Sequence, residues 1–142
     1  MLIGFLFYFL IRKRRRSKIA LSEADINTIS IIPEAKEDEF LIKLKIIVDE
    51  KMNDSSFSMF QLCRAIGISR AQVYRKVKKL TGKSPSLYIR SLRLQKAKTL
   101  LMGTDLNISE IGYEVGFKDL SYFSRSFTEE YGTPPSEMRK KN

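Results

Sequence analysis

Residues 58–82 read SMFQLCRAIGISRAQVYRKVKKLTG, and residues 107–132 read NISEIGYEVGFKDLSYFSRSFTEEYG. Each opens on a small polar residue with a longer one three positions on, Ser58 with Gln61 and Asn107 with Glu110. That spacing lets the first side chain cap a helix while the second bonds back to it. Within the first stretch Ser69 and Gln72 repeat the pattern after the break at Gly67-Ile68. Two short helices joined by a tight turn make a helix-turn-helix. Asn107, Glu110, Ile111, Val115 and Gly116 each lie 49 positions after Ser58, Gln61, Leu62, Ile66 and Gly67. After one inserted residue the offset becomes 50, and Phe123, Arg125, Phe127, Gly132 and Pro135 match Val73, Arg75, Val77, Gly82 and Pro85. Cap, turn, core and exit all recur, so the chain carries an internal repeat.

Between the copies, Ser84-Pro85 precedes a run with no helix breaker until Gly103. Proline suits a first helical turn, and Leu87, Leu94, Ala97 and Leu101 form a stripe, with Arg90, Arg93 and Lys96 elsewhere. One long helix therefore links the two units. Upstream, Phe40, Leu41, Leu44, Ile47, Val48 and Met52 have helical spacing. They predict a helix from Glu39, capped by Asp38, and ended by Asn53-Asp54-Ser55-Ser56. In the short helix after Ser58, Leu62, Ala65 and Ile66 make the apolar side. The expected fold class is all-α, with two helix-turn-helix units.

The 142 residues carry 26 Lys+Arg against 16 Asp+Glu, a net charge of +10, and allow one domain with an appendage. There is no histidine and one cysteine, which excludes histidine-based catalysis, a disulfide within the chain and multi-cysteine metal clusters. The charge falls in three blocks: +6 over residues 1–18, −5 over 19–57 and +9 over 58–142. Residues 58–83 hold seven basic residues and no acid. Such a balance points to a polyanion, either nucleic acid or an anionic membrane surface.

Residues 1–18 form a head: eleven uncharged residues, then a run from Arg12 to Lys18 that is basic at every position but Ser17. Eleven helical residues span roughly 16 Å, about half of a ~30 Å hydrocarbon core. Three readings stand open: the last half of a transmembrane helix left by a truncated gene or misplaced start, a weak interfacial anchor, or a buried apolar segment. Residues 19–38, with poor periodicity, Pro33 and Glu37-Asp38-Glu39, read as a linker, leaving 39–142 as the helical module.

On the second helix of the first unit, Val73, Val77 and Leu80 share one face. The opposite face carries Ala71, Arg75, Lys78 and Lys79, with Gln72 on its flank. On the equivalent helix, opened by Asp119, the inner face is Leu120, Phe123, Phe127 and Tyr131. Its outer face carries Ser121, Arg125, Thr128 and Glu129, flanked by Tyr122. Arg75 and Arg125 are thus equivalent and exposed, and arginine can donate two hydrogen bonds to guanine in the major groove. Residues 107–142 hold five basic and six acidic residues, and Glu129-Glu130 would repel phosphate. The first unit is therefore expected to supply most of the electrostatic attraction.

These residues resemble the AraC/XylS family of bacterial transcription regulators over about residues 40–140. The resemblance rests on Arg93-Leu94-Gln95-Lys96-Ala97 with Leu100-Leu101, on Ile108-Ser109-Glu110-Ile111-Gly112 and on Val115-Gly116-Phe117. It rests too on the run from Ser121 to Phe127 and on Tyr131-Gly132-Thr133-Pro134-Pro135. It implies a seven-helix DNA-binding domain whose two recognition helices enter successive major-groove segments. Carried over by position, DNA contacts would come from Arg70, Ala71, Gln72 and Arg75, and from Leu120, Ser121, Tyr122 and Arg125, with Lys78 and Lys79 beside them. Ala71 and Leu120 could offer only apolar contacts, as to a thymine methyl.

The family resemblance implies double-stranded DNA as partner, RNA polymerase and a second copy of the chain as candidates, and no cofactor. The head and linker resemble, weakly, the membrane-proximal part of hybrid sensor-regulators. A cytoplasmic protein, tethered or not to the inner face of the membrane through residues 1–18, fits this reading. The rival classes are a basic membrane-surface adaptor and an enzyme. Enzymatic function is not expected: there is no metal constellation, no glycine-rich phosphate loop, and no nucleophile paired with a base, Cys63 sitting between Leu62 and Arg64.

Overall fold

The computed structural model describes residues 32–141, with side chains from residue 39. The head and the first part of the linker, residues 1–31, lie outside the described residues, as do the expectations placed on them. Residues 34–142 pack as one compact unit.

The described residues form seven helices and no strand: α1 (Ile32–Glu50), α2 (Met59–Ile66), α3 (Arg70–Thr81), α4 (Pro85–Gly103), α5 (Ile108–Glu114), α6 (Leu120–Tyr131) and α7 (Pro135–Lys140). The all-α expectation and the two-unit order hold. α1 departs from its expected start. It begins at Ile32, not Glu39, so Asp38 lies inside the helix and does not cap it. Pro33 falls in the first turn, where its missing N–H costs no helical hydrogen bond.

The repeat is visible in three dimensions. α2, α3 and α5 each begin with a reciprocal capping box, Ser58 with Gln61, Ser69 with Gln72 and Asn107 with Glu110. Asp119 caps α6 by accepting from the Tyr122 N–H at 2.8 Å. Gly67 and Gly82 in the first unit, and Gly116 and Gly132 in the second, all take positive φ. Left-handed backbone at the end of a helix is where glycine replaces any other residue at least cost. Pro85 and Pro135 are buried in the first turns of α4 and α7.

A single core runs through both units. Leu44 and Val48 from α1, Leu62 from α2, Val73 and Val77 from α3, Leu94, Ala97 and Leu101 from α4, and Ile111, Phe123 and Phe127 from the second unit are buried in one cluster. Phe117 is buried as expected, its ring 5.2 Å from Phe123. Two expected core residues are not: Ala65 is exposed, and Leu87 is 45% exposed. Leu87 shares its face with Leu94, but the first turn of α4 is buried on the opposite side, at Pro85. Nine residues at 100° each put Pro85 and Leu94 half a turn apart. The helix thus changes the face it buries as it passes from the first unit to the second.

Candidate nucleic-acid interface

α3 is held inward by Val73 and Val77, both wholly buried. That leaves Arg70, Ala71, Gln72, Arg75, Lys78 and Lys79 all exposed. Gln72 and Lys78 also have duties within the fold. Gln72 Oε1 accepts from the Ser69 N–H at 3.0 Å, so its amide N–H groups are what it can turn outward. Lys78 Nζ donates to the Gly82 carbonyl at 2.9 Å, satisfying the C-terminal end of α3.

α6 repeats the arrangement with Phe123 and Phe127 inward and Ser121, Tyr122 and Arg125 exposed. Leu120 is only partly exposed. Its side chain lies so close over Gly112 that a Cβ there would come within 2.8 Å of it. α5 therefore takes much of the apolar surface Leu120 would offer to DNA. The Arg90 guanidinium donates to the Tyr122 hydroxyl at 3.4 Å, and the Tyr122 ring lies 5.8 Å from Phe117. That hydrogen bond draws the phenol below its ordinary pKa.

Glu129 and Glu130, expected to repel phosphate, are each paired. Glu129 lies 3.8 Å from Arg90, and Glu130 lies 3.9 Å from Lys83 at the exit of α3. These pairs tie α6 to α4 and to the end of the first unit, each weakly because both are partly exposed.

Sequence reasoning passed over a third region. An open groove of about 490 Å³ lies between the start of α4 and the start of α6, and Arg90, Arg93, Lys118 and Arg125 all line it. Arg93 Nη1 donates to the Gly116 carbonyl at 2.9 Å. Burial pushes the Arg93 guanidinium below its ordinary pKa, and Asp54 acts in the opposite sense. Arg90 and Arg93 lie off the apolar stripe of α4, and Lys118 is the residue inserted at the turn of the second repeat. Those were the only signals in the sequence. Among the described residues no cluster of three or more His, Cys, Asp or Glu could hold a metal ion, and no helix is long and apolar enough to cross a membrane.

Two capped, outward-facing helices in tandem helix-turn-helix units, joined by one long helix, define a class of bacterial DNA-binding regulator domain. A family model described as a helix-turn-helix domain matches residues 62–141, and the chain belongs to this AraC/XylS-type family of DNA-binding transcription regulators. It is 33% identical over 133 residues to histidine kinase P4 of Formosa agariphila, covering 93% of this chain and 10% of that protein. It is 34% identical over 118 residues to the transcriptional activator RhrA of Rhizobium meliloti, covering 82% of this chain and 37% of that one. Among solved structures, the C-terminal domain of the two-component response regulator yesN from Fusobacterium nucleatum is 32% identical. It superposes with a TM-score of 0.61 over 68% of this chain and 93% of that one. The chain thus spans well under half the length of each of these two curated relatives.

Proposed function

We propose that the chain regulates transcription by reading two successive major-groove segments, α3 in one and α6 in the next. One observation carries this: Arg75 and Arg125 stand at equivalent exposed positions, each opposite a fully buried apolar pair on a capped helix. The major groove admits a helix, and an arginine near its N-terminal end reaches guanine O6 and N7. In this reading Arg70, Ala71, Gln72 and Arg75 contact DNA from the first unit, with Lys78 and Lys79 toward the backbone. Ser121, Tyr122 and Arg125 contact it from the second, and Leu120 adds a smaller apolar contact.

Two substitutions separate base reading from charge attraction. Arg75→Ala is expected to cost about 1–3 kcal/mol on a site selected in vitro and much less on scrambled DNA. Lys79→Ala is expected to weaken both duplexes alike and to lower the salt slope by about one ion. Binding isotherms on both duplexes over a salt series check this. Equal losses for the two variants on both duplexes would remove Arg75 from the set of base readers.

A further inference from the structure

By charge count, the second unit is a poor ligand for DNA, since residues 107–142 sum to −1. The folded arrangement redistributes that charge. Glu129 and Glu130 are paired with Arg90 and Lys83, Glu110 bonds the Asn107 N–H, and Asp119 bonds the Tyr122 N–H. Four of the six acids of this stretch are therefore occupied within the fold. Asp119 also lines the groove, held there by its bond to the Tyr122 N–H, and four cations share that lining with it. Lys118 is exposed and has no ion-pair partner among the described residues. It shares the groove with Arg93 and Arg125, and Arg93 lies at the groove with its Nε buried and unpartnered. Ser86 adds a hydroxyl from the first turn of α4.

The position of the groove is as telling as its charge. α4 starts at Pro85, directly after α3 ends at Thr81. The groove is lined by the N-terminal half of α4, the turn before α6 and the start of α6, so it lies beside α6 on the side of the helix that links it to α3. If α3 and α6 occupy successive major-groove segments, the sugar-phosphate backbone separating the segments has to pass between them. Lys118 is also the one residue by which the second repeat exceeds the first at its turn. Ile68 corresponds to Phe117, and Ser69 to Asp119.

We propose that this groove takes a backbone phosphate of the DNA between the two major-groove segments. Lys118 meets it directly, and Arg93 supplies positive charge from beneath. The proposal rests on the functional reading above and adds a contact site to it. Phosphate oxygens accept charge-assisted hydrogen bonds from lysine and arginine, and each such contact releases condensed counterions. The second unit then contributes to affinity through the residue inserted at its turn, despite its acidic sum.

The test uses the 142-residue chain and its Lys118→Met and Lys118→Arg variants on a duplex selected in vitro by the parent. Lys118→Met keeps the length of the side chain and removes its charge. It is expected to lower the salt slope by about one ion and to weaken binding severalfold, while Lys118→Arg holds the parent's slope. Replacing phosphates of the intervening backbone one at a time by uncharged methylphosphonate should reproduce that loss at one or two positions. At those positions Lys118→Met should lose nothing more. An unchanged slope for Lys118→Met, or losses that add at every position, overturns the proposal. So does Lys118-dependent binding of millimolar inorganic phosphate with the DNA slope unaltered, which would make the groove a site for a free anion. A parent that fails to distinguish selected from scrambled duplex refutes the functional reading itself and the proposal with it, so the two failures are distinguishable. Thermal unfolding of both variants checks that the fold is intact.

Discussion

Gly67 and Gly116 hold the same place in the two units and nearly the same backbone angle, φ +84° and +86°. Their surroundings differ. A Cβ on Gly67 meets open space, whereas one on Gly116 would lie 2.3 Å from the Met52 carbonyl oxygen and 3.0 Å from the Arg93 guanidinium carbon. Gly67→Ala is therefore expected to cost only the left-handed backbone, about 1–2 kcal/mol. Gly116→Ala adds a clash with backbone that cannot swing away, for a total of about 2–5 kcal/mol. Urea unfolding of the two variants measures the difference directly. Phe127, wholly buried between Phe123 and Tyr131, should cost about 3–5 kcal/mol as Phe127→Ala by the same measurement. A carboxyl in the loop before α2 ties stability to pH. Asp54 accepts from the Ser56 hydroxyl and N–H, which holds its carboxyl below the usual carboxylate range. A depressed carboxyl contributes stability above its unfolded pKa and loses it as pH falls through the folded one. Asp54→Asn should therefore lower stability slightly at neutral pH, and that difference from the parent should vanish as pH falls below about 4, as denaturation midpoints across pH would record.

Helix starts and stops were legible because they are local. A polar cap, its partner three residues on and a terminal glycine all sit within a dozen positions, and their chemistry does not wait for the rest of the fold. Ser69→Ala illustrates the point: it removes one cap bond from α3 and should cost about 1 kcal/mol in unfolding experiments. The early start of α1 was less legible. Residues 32–38 show no apolar stripe, so periodicity gave no sign of a helix there. The exposure of Leu87 was hidden for a different reason, since a stripe read off one helix assumes that helix buries a single face, and α4 buries two. The reading faces of α3 and α6 followed from periodicity, because a buried pair on one side fixes what lies opposite. The groove did not follow, since Arg90, Arg93, Lys118 and Arg125 meet only after α4 and α6 have packed. The same packing pairs Glu129 with Arg90 and Glu130 with Lys83, which their sequence positions do not show.

One core joins the two units, and polar ties reinforce it: Lys83 to Glu130 and Arg90 to Glu129 and Tyr122 reach the second unit, while Lys96 to Asp49 at 3.6 Å ties α4 to α1. The exposed ion pairs are individually weak, so the shared core carries the coupling. A fragment of residues 32–142 is expected to unfold in one cooperative transition, with helical circular dichroism lost and tertiary signal lost together. Two transitions would show that the units are independent. The unbroken α4, 19 residues and about 28 Å long, has a counterpart on the other side of the complex. DNA is a screw of about 10–10.5 base pairs per turn, so each base pair added between two marks rotates one against the other by about 35°. Two readers on a flexible tether would follow that rotation. Two readers fixed on one rod stay in phase with a single spacing, and a one-base-pair insertion should silence the distal mark as thoroughly as erasing its letters.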